Sequence, residues 1–198
     1  MRYTLTTAPT TTPITLAEAR EWLAVQSGVT SDDSAITQII NEVTAYAESR
    51  FNGRKLINQT WEITLDEDEI EDVIDLRLVP LVSISSIKTY NDAGTESTVD
   101  STNYLVTTGE RPRVSLTSSG SWPTDLRDYD CMKITAVVGY GSSNTSIPED
   151  IVMLLRGLVL HFYHSKGTGI METVSGQVMS IPYVYTTLLK KYRVHPWK

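Results

Sequence analysis

The chain of 198 residues carries 17 Lys+Arg against 24 Asp+Glu, a formal net charge of −7, and is 40% hydrophobic and 21% charged. That length can bury a core without covalent staples, the composition is that of a globular rather than a disordered or fibrous protein, and a single cysteine, Cys131, excludes an internal disulfide framework or a Cys-cluster zinc site. The first residues lack an apolar segment of signal-peptide length, and no uncharged apolar run reaches the roughly 18 residues of a membrane span, so a soluble protein made in a reducing compartment, with no membrane partner, is expected.

Residues 1–13, rich in Thr and Pro, read as an extended, poorly ordered lead-in. Thr15 and Glu18 form a capping-box signature that opens a first helix with Leu16, Ala19, Leu23 and Ala24 as its apolar stripe. The Ser-Asp-Asp-Ser stretch at 31–34 then caps a second helix, in which Ile36, Ile39, Ile40, Val43, Ala47 and Phe51 recur at helical spacing until Asn52-Gly53 ends it. From Gln59 the period changes to two. β-type runs cover Trp61–Leu65, Val73–Leu78, Ile84–Tyr90, Tyr104–Thr107, Arg113–Leu116 and Met132–Val138, separated by Asn/Asp/Gly/Ser turns. Helical periodicity returns after Pro148, where Ile151, Leu154, Leu155, Leu158, Val159 and Phe162 share a face, and a short final helix carries Val184, Leu188, Leu189 and Tyr192. The fold class is therefore α+β: a helical bundle from residues 14–57 and 148–198, with an antiparallel, sandwich-like β domain from residues 58–147 inserted between its second and third helices.

The net charge hides an asymmetry. Residues 1–150 hold 11 basic and 23 acidic side chains, a balance of −12, whereas residues 151–198 hold six basic residues against Glu172 alone, a balance of +5. The two parts of the chain are suited to different partners.

Catalytic chemistry finds little support. His161 and His164 lie three apart on a helix but lack the HExxH arrangement and a third near ligand, so aromatic helix packing is the preferred reading over a metal site. The acidic run from Glu62 to Asp75 has no central glycine for a calcium loop and reads as a solvated loop. Gly139-Tyr140-Gly141 fits neither a P-loop nor a dinucleotide turn, and Cys131 has no local base. No catalytic residue, metal or cofactor is assigned. The acidic balance also opposes sequence-specific nucleic-acid binding, while the basic, aromatic end Lys190, Lys191, Tyr192, Arg193 and Trp197 reads as a protein-docking tail.

The segments ITLAEAREWL, DSAITQIINEVTAYAESRFNGRKLINQTWEITLDE, LVPLVSISSIKTY, GSWP, VVGYG and IPEDIVMLLRGLVLHFY, in that order, resemble the head-tail connector (adaptor) proteins of long-tailed double-stranded DNA bacteriophages and prophages, from Ile14 to about Arg193. The acidic stretch at 66–75 and the terminal HPWK depart from that pattern. The resemblance implies a non-enzymatic component of the virion neck, made in the bacterial host cytoplasm. It implies a homo-oligomeric ring of about twelve copies beneath the portal protein, which carries the DNA channel toward a stopper or tail-completion protein without sequence-specific DNA binding. On that reading Lys190, Lys191, Tyr192, Arg193 and Trp197 dock on the portal. The apolar face of Ile151, Leu155, Leu158 and Phe162 meets neighbouring subunits, and Asp66, Glu67, Asp68 and Glu69 face the channel. The alternative class is a β-sandwich binding module for carbohydrate or peptide, with Trp61, Trp122 and Tyr90 as its platform.

Overall fold

The computed structural model describes residues 1–26, 28–164 and 182–194. Among these the chain forms eight strands and four α-helices, divided between two compact units.

The β unit takes Met1–Pro9 and Asn58–Tyr140. Its five-stranded sheet has the order β1 (Arg2–Thr7), β2 (Gln59–Leu65), β8 (Met132–Val138), β4 (Leu81–Tyr90), β5 (Glu96–Thr98), and every neighbouring pair is antiparallel. A three-stranded sheet follows the order β3 (Val73–Asp75), β7 (Arg113–Leu116), β6 (Tyr104–Thr107). Alternation along β8 buries Met132, Ile134, Ala136 and Val138 in the centre of the larger sheet. These side chains join Ile63, Leu65 and Ile87 and, from the smaller sheet, Ile74 and Val114 in one apolar cluster, which gives the sandwich-like core that the period-two pattern implied.

The lead-in differs from expectation. Residues 2–7 are not loose but pair with β2 from Arg2 opposite Thr64 to Leu5 opposite Trp61. The Arg-Tyr-Thr-Leu-Thr-Thr segment has the β-branched and aromatic content of a strand. It is an edge strand exposed at nearly every position, so it lacks the buried alternation by which strands are recognised. Arg2 and Asp130 form an ion pair at 2.8 Å, and the terminal ammonium of Met1 meets the Glu69 carboxylate.

The helical unit takes Thr10–Ile57 and, among the described residues, those from Gly141 to Val194. Helix α1 (Leu16–Trp22) starts at the Thr15–Glu18 capping box and closes in a Schellman motif: Ala24 lies at φ 54°, and the Val25 and Ala24 amides donate to the Arg20 and Glu21 carbonyls. Ala24 therefore ends the helix instead of extending its apolar stripe. Helix α2 (Asp33–Phe51) buries the six residues read from its periodicity, and Asn52 at φ 56° turns the chain out of it. Asp32 precedes α2, but its carboxylate accepts from the Tyr163 hydroxyl at 2.6 Å rather than capping the helix. Helix α3 (Glu149–His164) follows Pro148 and packs on α1, α2 and α4 (Tyr183–Lys191). Gly157 permits the closest part of that packing, because a Cβ there would lie 2.1–2.6 Å from the Tyr185 ring and hydroxyl. No described helix is long and apolar enough to cross a membrane.

Candidate docking surface on the helical unit

The end of α4 is fastened to the rest of its unit by a compact polar and aromatic cluster. The Val194 amide donates to the Phe51 carbonyl at 2.7 Å, and Asn52 Nδ2 donates to the Val194 carbonyl at 3.1 Å. Arg54, buried on the segment after α2, donates through Nε to the Tyr192 carbonyl at 3.0 Å and lays its guanidinium 5.3 Å from the Tyr192 ring centre. That ring meets Phe51 edge-on at 6.1 Å. Its hydroxyl donates to the Asp150 carboxylate at the start of α3, which also accepts from Lys191 Nζ at 2.7 Å. Burial opposes ionisation of Asp150, but the hydrogen bonds from Lys191 and Tyr192 outweigh it and hold the carboxyl below the usual aspartate range. Glu18 is governed the same way. Burial raises it, while the Thr15 amide and hydroxyl, the Arg156 charge and Asn144 bring it below the usual glutamate range.

The tail residues singled out in the sequence thus part company. Lys191 and Tyr192 are engaged inside the chain, whereas Lys190 and Arg193 are exposed and Trp197 lies outside the described residues. Lys190 and Arg193 flank a cleft of about 300 Å³ between α2 and α4, which Tyr46, Arg50, Thr186 and Leu189 complete. Arg50 lies 5.2 Å from the Tyr46 ring centre, and Tyr46 in turn packs at 6.1 Å against half-buried Phe162. Tyr46 and Arg50 belong to this surface although the sequence reading passed over them. Their i, i+4 spacing along the edge of the apolar stripe of α2 was the available signal.

The subunit-interface expectation needs correction at three of its four positions. Ile151, Leu155 and Leu158 are 0–1% exposed within a single chain, filled in by α1, α2 and α4, so none presents a surface to a neighbour. Only Phe162 keeps part of its ring accessible. In the β unit, the acidic stretch is more structured than a solvated loop. Asp66 and Glu69 form a capping box on one turn of 3-10 helix, Asp66 accepts from the Asp130 amide at 2.7 Å, and the Glu67 amide donates to the Asp128 carbonyl. The Glu69 carboxyl is held below its usual range first by the terminal ammonium and then by the Asp66 amide, against the effect of burial. Glu67 and Asp68 remain exposed.

Trp61 and Trp122 pack against the β core and do not form an open platform. Trp122 stacks on Tyr104 at 6.3 Å and donates to the Glu71 carbonyl, Trp61 donates to Gln59, and Tyr90 lies under Arg127 with its hydroxyl on Glu96. His161 and His164 contact the rings of Phe162 and Tyr163, and no three His, Cys, Asp or Glu side chains among the described residues are grouped to hold a metal. Cys131 is fully buried, and burial pushes its thiol up.

Among solved structures, the chain superposes along its whole length on a chain in the neck of an empty gene transfer agent particle, computed with C6 symmetry, with a TM-score of 0.81. The chain shares the fold of that neck chain. A chain of the native gene transfer agent virion gives a TM-score of 0.79, and one in the native neck computed with C12 symmetry gives 0.77. In each case the match covers 100% of this chain and 98% of the other at 20% identity, so the likeness is one of fold. No protein-family model matches the sequence, and no curated protein is significantly similar to it. The fold of the neck chains agrees with the head-tail connector resemblance read from the sequence.

Proposed function

We propose that this protein is a non-enzymatic structural component of the neck of a tailed phage or phage-like particle: a ring beneath the portal that extends the DNA channel and joins capsid to tail. The observation that carries the proposal is the full-length match to chains from necks computed with C6 and C12 symmetry. A part in a rotationally symmetric assembly explains why such a chain needs shaped surfaces and no active site. The portal contact falls to the chain end beyond α4, including Trp197, because Lys191 and Tyr192 already serve the fold. Exposed carboxylates such as Glu67 and Asp68 suit a lumen that must not hold the DNA backbone, since like charge repels phosphate. A stopper or tail-completion protein would meet the opposite rim.

Electron microscopy of the full chain mixed with its cognate portal tests the proposal. Rings stacked on the portal's narrow end are the expected result; absence of any association under assembly conditions would overturn it.

A further inference from the structure

The cleft between α2 and α4 has the chemistry of a receptor for an acidic segment that also carries an apolar side chain. Its lining includes buried Leu189 and the Tyr46 ring beside the cations Arg50, Lys190 and Arg193, and among the described residues no acidic side chain lines it. Elsewhere in the helical unit cations are paired: Arg20 with Asp33, Lys55 with Glu48, Arg156 with Glu18, Lys191 with Asp150. Among the described residues none of the three at the cleft reaches a carboxylate. Arg50 lies over Tyr46, and the Arg193 amide turns back onto the Lys190 carbonyl. Like charges gathered at one site repel one another, and an anionic occupant relieves that repulsion.

The same chain carries a segment of matching character. Strand β3 is the edge of the three-stranded sheet, and there Val73 (42% exposed) and Asp75 point outward on either side of buried Ile74, with exposed Glu71 and Asp72 just before them. Three carboxylates and one exposed valine thus lie within five residues, with Arg77 the nearest cation along the chain. We propose that the cleft receives Glu71–Asp75 of a neighbouring copy, Val73 against Leu189 and Tyr46, the carboxylates against Arg50, Lys190 and Arg193. Joining two different surfaces of identical chains is the kind of contact that builds a ring. This assignment rests on the ring reading above.

The test uses rings assembled from an equimolar mixture of unlabelled and ¹⁵N-labelled full chains, on the portal where the portal is required, treated with a zero-length carbodiimide cross-linker. Mass spectrometry should find Lys190 joined to Glu71, Asp72 or Asp75 in mixed-isotope pairs. Arg50→Glu, at an exposed position, should lower that yield about tenfold, and adding Asp72→Arg to the same chain should restore the links from Lys190 to Glu71 and Asp75. Rings in which Lys190 links only within its own chain, or only to the portal, would overturn the cleft assignment and leave the ring reading standing. Absence of rings by electron microscopy would remove both.

Discussion

Tyr192 separates a docking role from a folding role. Tyr192→Phe deletes the hydroxyl that donates to Asp150 at 2.5–2.6 Å and leaves the ring against Phe51 and Arg54. A hydrogen bond to a charged group contributes roughly 1.5–3 kcal/mol. Here the lower end applies, because the Asp150 side chain is 30% exposed and keeps Lys191 as a partner, so it is not orphaned. The Phe variant should therefore lose about 1–1.5 kcal/mol. Tyr192→Ala also removes the edge-on pair, worth roughly 0.5–1.5 kcal/mol, and the apolar contact of a half-buried ring, for about 3 kcal/mol in all. Urea unfolding at pH 7, followed by far-UV circular dichroism, measures both. A cycle with Asp150→Asn should give a coupling of about 1 kcal/mol. A Phe variant within 0.3 kcal/mol of the parent, as an order-of-magnitude threshold, or strictly additive effects in the cycle, would refute the view that this hydroxyl fastens α4 to α3.

Leu158→Asp should abolish cooperative unfolding of the helical unit, not merely block assembly, because Leu158 is fully buried within one chain; a folded but assembly-defective variant would place it at an interface. The carboxyls of Glu18 and Asp150 are both held below their usual values, so their contribution is complete above the unfolded-state pKa values and is lost as pH falls through the lower folded-state ones. Thermal melts should therefore drop below about pH 4.5, and Glu18→Gln with Asp150→Asn should flatten that loss. Trp122→Ala should destabilise the β unit by about 3 kcal/mol, read by near-UV dichroism, through the lost stack on Tyr104 and the lost bond to the Glu71 carbonyl. Raising sodium chloride from about 0.05 to 0.5 M should disperse rings measured by light scattering while leaving the melting curve of the apolar core nearly unchanged.

Much of the architecture is written in periodicity. The six buried residues of α2, the capping box of α1 and the alternation of β8 follow from spacing alone, because each element buries one face against its own chain. Strands β1 and β5 escape that logic, since an edge strand exposed at nearly every position shows no contrast between its two faces. The surface was less legible for a related reason. An apolar stripe such as Ile151, Leu155 and Leu158 looks the same whether a helix of the same chain or a second copy covers it, and only the folded chain distinguishes the cases. Tyr192 likewise reads as a free aromatic in a basic tail until Asp150, 42 residues away, is found on its hydroxyl.

The charge asymmetry of the sequence takes a sharper form once each unit is resolved. The total of −7 has no direction, whereas an edge strand with Glu71, Asp72, Val73 and Asp75 exposed, and a cleft with three cations unpaired among the described residues, are complementary surfaces. The cleft belongs to the helical unit and the strand to the β unit, so the contact proposed between copies joins unlike patches of like chains. A two-fold dimer pairs a patch with itself, which for either of these would set like charges together. The arrangement therefore disfavours closed pairs and favours head-to-tail addition, which closes into a ring when the rotation per copy divides a full turn.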